Sequence, residues 1–120
     1  MGYTYGEVED AIMSVLQIPQ HERSKVTARI RHFRNIGISP PLPNPGSGMR
    51  IQYSIEQACE ILLAAELLRL GITPRRSLKM IATSIKKGSV EIKTRFSKLE
   101  INVKSALGAL TDHFSLKKAA

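Results

Sequence analysis

The sequence predicts a mainly α-helical protein with a small β element towards its C-terminus. Capping boxes, in which a hydroxyl residue precedes Glu or Gln by three positions, mark helix starts at Thr4 and at Ser54. Between them, residues 38–48 contain four prolines and two glycines, which exclude a regular helix or a central strand. From Ser89 onward the apolar residues change from a helical period to a period of two, which predicts strands.

The first two helices are expected to be short and consecutive. The first follows Thr4 and is expected to end near Pro19, a residue that is itself suited to open the second helix. The second covers residues 20–36, and Gly37 is suited to end it. One apolar stripe of this second helix is expected to face the core, and it consists of Val26, Ile30 and Phe33.

Two further helices are expected over residues 55–70 and 74–87, each followed by a glycine. The chain's single cysteine, Cys59, lies among aliphatic residues of the third helix. It is therefore expected to be a small core residue without a disulfide or metal role.

The alternating segment after Ser89 predicts a β-hairpin. With Ser97-Lys98 as a two-residue turn, Phe96 would face Leu99 and Ile92 would face Val103. This turn lacks the usual Asn or Gly, so pairing with a strand of a second chain is an open alternative. The apolar face of the hairpin is the expected homodimer contact, formed by Ile92, Phe96, Leu99, Ile101 and Val103.

A short final helix is expected over residues 106–114. The chain would then consist of a helical domain, residues 1–88, and a self-association element, residues 89–120.

The net charge of +8 favours a polyanionic partner, which can be nucleic acid, an acidic membrane surface or an acidic protein. The distribution of the charge favours the first. The stretch from His21 to Gly37 holds five Lys and Arg residues against the single acid Glu22, whereas a helix that needs only solubility usually mixes both signs. The second helix is therefore expected to face phosphate.

Residue types divide this basic helix into two groups. The side chains expected to contact base edges are Gln20, Arg23, Ser24 and Thr27. The side chains expected to contact phosphates are Arg29, Arg31, His32 and Arg34. Further DNA contacts are expected from Arg50, after the proline-rich stretch, and from Arg75 and Arg76, which open the fourth helix.

Catalytic and metal signatures are absent from the sequence. The three histidines are scattered, and no cysteine or acid lies at metal-ligand spacing from them. Glu7, Glu9 and Asp10 share one helical turn and are expected to complement the helix dipole rather than form a catalytic pair. A non-enzyme without a cofactor is therefore expected. The lone cysteine and the missing signal or membrane-spanning pattern predict a cytoplasmic, nucleoid-associated protein.

Four segments resemble the winged helix-turn-helix domain of the MerR family of bacterial transcription regulators. Residues 3–8, YTYGEV, are similar to the family's Y-T-I-G-E-L, and residues 31–41, RHFRNIGISPP, to R-Y-Y-E-x-x-G-L-L-x-P. Residues 47–54, SGMRIQYS, resemble S-G-Y-R-x-Y-S, and residues 68–72, LRLGI, resemble L-R-x-L-G-F. The resemblance covers roughly residues 3–85.

The resemblance implies double-stranded DNA as the partner, read by helix 20–36 in the major groove and by a wing over residues 39–53. Arg31 takes the place of the arginine that contacts DNA from the recognition helix, and Arg50 that of the wing arginine. A homodimer and contact with RNA polymerase are further expectations.

The C-terminal third departs from the family, because the alternating segment replaces the usual dimerisation helix and no sensor domain follows. Two alternatives stay open. The first is an excisionase-like recombination directionality factor or an architectural DNA-bending factor. The second is a protein-binding adaptor whose basic helix docks on an acidic partner.

Overall fold

A computed structural model describes residues 2–38, 52–93, 95, 96 and 98–119. The chain is mainly helical with one small antiparallel sheet in this part, as the sequence predicts. The helices are α1 Tyr5–Val15, α2 Arg23–Asn35, α3 Ile55–Arg69, α4 Pro74–Lys87 and α5 Val103–Ala119; the strands are β1 Ser89–Lys93 and β2 Lys98–Asn102.

Both predicted capping boxes are confirmed. The Thr4 Oγ1 accepts a hydrogen bond from the Glu7 backbone N–H at 3.2 Å, and the Glu7 carboxylate accepts one from the Thr4 N–H at 3.1 Å. Ser54 and Gln57 form the same reciprocal pair at the start of α3. The expected continuous helix over residues 20–36 is wrong in its first turn, because Gln20–Glu22 form a 3-10 turn and the α-helix begins at Arg23.

Glycines end α2 and α3 as predicted. Gly37 and Gly71 adopt positive φ angles of 98° and 89°. The residue after each glycine, Ile38 and Ile72, donates its backbone N–H to a carbonyl five residues earlier, at 2.9 Å in both cases. This is the Schellman arrangement, and both isoleucines are buried beneath the helix ends.

The predicted core stripe of α2, Val26, Ile30 and Phe33, is buried. It belongs to a single hydrophobic cluster that also contains Val90 of β1 and Phe114 of α5. The predicted segments 1–88 and 89–120 therefore share one core.

Cys59 is buried in this core as expected, and desolvation raises the pKa of its thiol to about 11.

The hairpin forms within the chain, but its predicted register is wrong. Ile92 is opposite Leu99 and Lys93 is opposite Lys98, so four residues, 94–97, separate the strands instead of two. Phe96 therefore lies in the connection between β1 and β2 rather than on the apolar face of the hairpin, and its side chain is 89% exposed. The physical reason is that Ser97-Lys98 lacks the Asn or Gly that a two-residue turn usually requires.

The last helix begins earlier and ends later than predicted. The Asn102 Oδ1 accepts the Ser105 backbone N–H at 3.1 Å, so Asn102 caps α5 and Val103 is its first residue. The helix then continues to Ala119 rather than ending at residue 114. Ile92 and Val103 are buried in the chain's own core, so the expectation that they form an open dimerisation face is wrong.

A β-bridge joins the N-terminus to the segment before α3. Tyr3 and Tyr53 exchange two backbone hydrogen bonds of 2.8 Å. The Tyr3 ring also stacks on Phe114, with the ring centroids 3.8 Å apart. These contacts fix the end of the expected wing, whereas residues 39–51 with Arg50 lie outside the described residues.

Candidate nucleic-acid interface

The helix expected to contact DNA, α2, is fixed to the protein along two sides. Its apolar stripe packs into the core, and a second side faces α1 through polar contacts. Glu9 of α1 is 5% exposed and accepts the Arg23 Nε–H at 2.6 Å and the Thr27 Oγ1–H at 3.0 Å. Asp10 forms an ion pair with the same guanidinium at 2.5 Å.

This cluster revises the roles of three residues. Glu9 accepts side-chain hydrogen bonds from α2, a role that the sequence did not predict. Arg23 and Thr27, two of the expected base-reading residues, use their polar groups to attach α2 to α1. The bond from Arg23 fixes orientation strongly because its donor and its acceptor are both ionised.

Loss of the Glu9 charge is expected to lower stability. Glu9→Gln keeps the size of the side chain but weakens both bonds from α2, at a cost of about 1–3 kcal/mol in the free energy of unfolding. Chemical denaturation followed by circular dichroism measures this cost. Glu7→Gln is the matched control, because the Glu7 carboxylate accepts its hydrogen bond from the exposed Thr4 backbone N–H and glutamine preserves that bond. Equal stability of the two variants would contradict the assigned role.

Tyr5 lies at the same contact between α1 and α2. Its hydroxyl donates to the Thr27 backbone carbonyl at 3.4 Å. Burial, followed by the charge of Glu9, raises the pKa of Tyr5 to about 12, because both disfavour the phenolate.

The raised pKa of Tyr5 predicts an alkaline loss of stability. The folded-state pKa of about 12 lies above the ordinary value of 10.0, so the contribution is complete below pH 10 and is lost as the pH rises towards 12. The free energy of unfolding of the wild type should fall more steeply over this range than that of Tyr5→Phe. Denaturation curves at several pH values measure both slopes, and identical slopes would contradict the prediction.

Arg34 also lies towards the protein. Its side chain is half-buried, and the guanidinium carbon is 5.9 Å from the centroid of the Tyr53 ring. Tyr53 is fully buried, and desolvation raises its pKa while the Arg34 charge lowers it. Arg34 therefore contacts the end of the expected wing from α2.

The remaining side of α2 is open to solvent, and we call it the outward face. It consists of Ser24, Lys25, Ala28, Arg29, Arg31, His32 and Asn35, all exposed. No residue of α2 is acidic. Arg29 and Arg31 form no ion pair with any residue that the structure describes. Their charges are therefore not neutralised by the described part of the chain.

Sequence reasoning missed two members of the outward face, Ala28 and Asn35. At 100° per residue both fall between Ser24 and His32, so the helical arc alone could have identified them. Other expected contact residues lie elsewhere. Gln20 is exposed in the 3-10 turn, and Arg75 and Arg76 are exposed in the first turn of α4.

Other kinds of site are not evident in the described residues. They contain no group of three or more His, Cys, Asp or Glu side chains arranged to hold a metal ion. None of the helices in that part of the chain combines the length and the apolar character that crossing a membrane requires. Comparison with known proteins found no match to this chain among family models, curated proteins or solved structures.

Proposed function

We propose that the chain is a sequence-specific double-stranded DNA-binding protein of the MerR-like winged helix-turn-helix type, acting as a bacterial transcription regulator. The observation that carries this proposal is the outward face of α2. It combines unneutralised cations with small and amide side chains, on a helix that the core and Glu9 hold in one orientation. No catalytic step is part of the proposal.

In the proposed complex α2 lies in the major groove, which is about 12 Å wide and admits one helix. The centre of the outward face carries Ser24, Ala28 and Asn35. Asparagine can bind adenine through two hydrogen bonds, and an alanine methyl can contact the thymine methyl group. The small Ala28 side chain also lets the helix approach the base edges closely.

Arg29 and Arg31 lie on opposite flanks of that centre, since their positions differ by 160° around the helix. Each can therefore reach the phosphates on one wall of the groove. Arg31 is also the position that resembles the DNA-contacting arginine of the family. Lys25 and His32 extend the contact along the backbone.

Two more segments take part in the proposed complex. The wing over residues 39–53 would contact the flanking backbone or the minor groove, and the Tyr3–Tyr53 bridge supports it by fixing its end. Arg75 and Arg76 would add phosphate contacts at the start of α4, where helix N–H groups also favour anions.

Selection of duplex fragments from bacterial genomic DNA, followed by sequencing, tests the proposal. The expected result is enrichment of a defined motif. Its affinity should fall by about 0.9 logarithmic units per neutralised phosphate for each tenfold rise in salt concentration. Recovery of no duplex at low salt would contradict the proposal and favour the adaptor alternative. Strong bending of the selected sites, measured by gel mobility of permuted fragments, would favour the architectural alternative.

A further inference from the structure

Two features of the structure have no place in DNA binding by α2. The first is the end of the hairpin, where Phe96 is 89% exposed. The Arg95 guanidinium carbon lies 5.4 Å from the centroid of the Phe96 ring, and Lys93 and Lys98 are directly opposite each other across the strands. We call these four residues the hairpin tip.

The tip is unfavourable in isolation. Like charges directly opposite on neighbouring strands repel, and an exposed phenylalanine leaves most of its apolar surface in water. Among the described ion pairs, Lys98 contacts the Glu91 carboxylate at 3.6 Å, at a surface position where screening is strong. An apolar site with negative charge around it would relieve both costs.

The second feature is such a site. A cleft of about 390 Å³ lies between the C-terminal part of α1, α3, β2 and the start of α5. Its apolar lining includes Val15, Leu62, Leu63, Ile101, Ala106 and Ala109. Two carboxylates border it, Glu100 and Glu66, the latter also 3.6 Å from the Arg69 guanidinium, and we call it the acidic cleft.

We propose that the chain forms a homodimer in which the hairpin tip of each copy inserts into the acidic cleft of the other. Phe96 fills the apolar part of the cleft, and the cations of the tip lie near Glu66 and Glu100. The cleft volume of about 390 Å³ is ample for one phenyl group. This dimer goes beyond the proposed DNA binding and does not depend on it.

The geometry of the hairpin allows both insertions at once. Lys98 of the tip and the cleft residue Ile101 are three residues apart on β2, or roughly 10 Å along the strand. Two hairpins placed antiparallel about a twofold axis therefore bring each tip to the partner's cleft. An interface of this kind is closed and self-complementary, which limits assembly to a dimer.

A second copy of this chain fits the tip better than a membrane does. Burial of one phenylalanine supplies about 1.5–3 kcal/mol, and cations near an acidic bilayer supply about 1 kcal/mol each, which together make only a weak anchor. The acidic cleft offers the matching apolar and charged partners on an identical molecule. The proposal also replaces the sequence-based dimer face, whose residues Ile92 and Val103 are buried.

Sedimentation equilibrium of the full chain without DNA tests the dimer. Phe96→Ala removes both tips from a homodimer, and Ala109→Trp blocks both clefts. Loss of a central interface aromatic weakens association roughly 30-fold per contact, so each variant alone should dimerise roughly 1,000-fold more weakly than the wild type. Leu116→Ala, which alters another exposed apolar residue outside the interface, should dimerise like the wild type.

Mixing the two variants gives the sharpest result. A heterodimer of Phe96→Ala and Ala109→Trp regains one contact, because the intact tip of one copy meets the intact cleft of the other. The mixture should therefore associate roughly 30-fold more tightly than either variant alone. Glu100→Lys, a surface change opposite Glu91 in the hairpin, replaces Ala109→Trp if the latter fails to fold.

A wild-type monomer at high micromolar concentration, wild-type association of Phe96→Ala, or a mixture no tighter than its components would each overturn the proposal. Because the measurement contains no DNA, these outcomes are independent of the proposed DNA binding. A Phe96→Ala variant that loses DNA affinity at unchanged dimerisation would likewise overturn it and assign the tip to DNA.

Discussion

Replacing Arg29 and Arg31 together with alanine lowers the affinity for the selected duplex by at least about 100-fold in the proposed complex. Each arginine supplies a charge-assisted contact worth about 1.5–3 kcal/mol, and a tenfold change in affinity corresponds to about 1.4 kcal/mol. The two losses should add, because the residues lie on opposite flanks of the outward face and share no partner among the described residues.

The same double variant should reduce the slope of log affinity against log salt by about 1.8, or about 0.9 for each phosphate contact. Fluorescence anisotropy at several salt concentrations measures both quantities. Lys104→Glu, at an exposed position of α5, is the matched control because it also lowers the net charge by two. An equal loss of affinity in this control would assign the effect to overall charge rather than to α2.

Phe33→Ala is expected to cause the largest loss of stability among single changes in α2, about 3–5 kcal/mol in the free energy of unfolding. The ring is completely buried, and the Phe33 carbonyl also accepts the Ile38 N–H that ends the helix. Truncation therefore leaves a cavity under the helix that presents the outward face.

Urea denaturation measures this loss, with Leu116→Ala as the control. Leu116 is 72% exposed, and its truncation should change stability by less than about 0.5 kcal/mol. A cost below about 1 kcal/mol for Phe33→Ala would contradict the central position that the fold gives this side chain.

Local rules in the sequence predicted much of the fold. The capping boxes at Thr4 and Ser54 and the helix-ending glycines Gly37 and Gly71 depend on neighbouring residues alone, so the sequence was sufficient for them. The buried stripe of α2 likewise follows from helical spacing.

The hairpin and α5 required more than local patterns. An alternation of apolar and polar residues is compatible with several registers, and only the connection between the strands distinguishes them. The alternation of apolar and polar residues continues through Val103 in the sequence. In the structure, however, Asn102 caps α5 and Val103 is already helical. The sequence-based hairpin was therefore right in kind and shifted in register.

The contacts of Glu9 with Arg23 and Thr27 could not be predicted from either helix alone. Both helices place suitable residues on several faces, and which faces meet depends on how α1 and α2 cross in the core. As a result, residue type correctly indicated a basic helix but misassigned Arg23 and Thr27, which hold the helix in place, and omitted Ala28 and Asn35.

Protection of a thiol on the outward face tests the central claim most directly. The native Cys59 is buried, and its pKa of about 11 keeps it protonated at neutral pH, so a maleimide should react at an introduced cysteine. Ala28→Cys places that cysteine at the centre of the outward face, and Asp112→Cys places one at an exposed position of α5. Saturating selected duplex should slow alkylation of Ala28→Cys at least about tenfold and leave Asp112→Cys unchanged. Equal alkylation of Ala28→Cys with and without DNA would contradict contact between the outward face of α2 and the duplex.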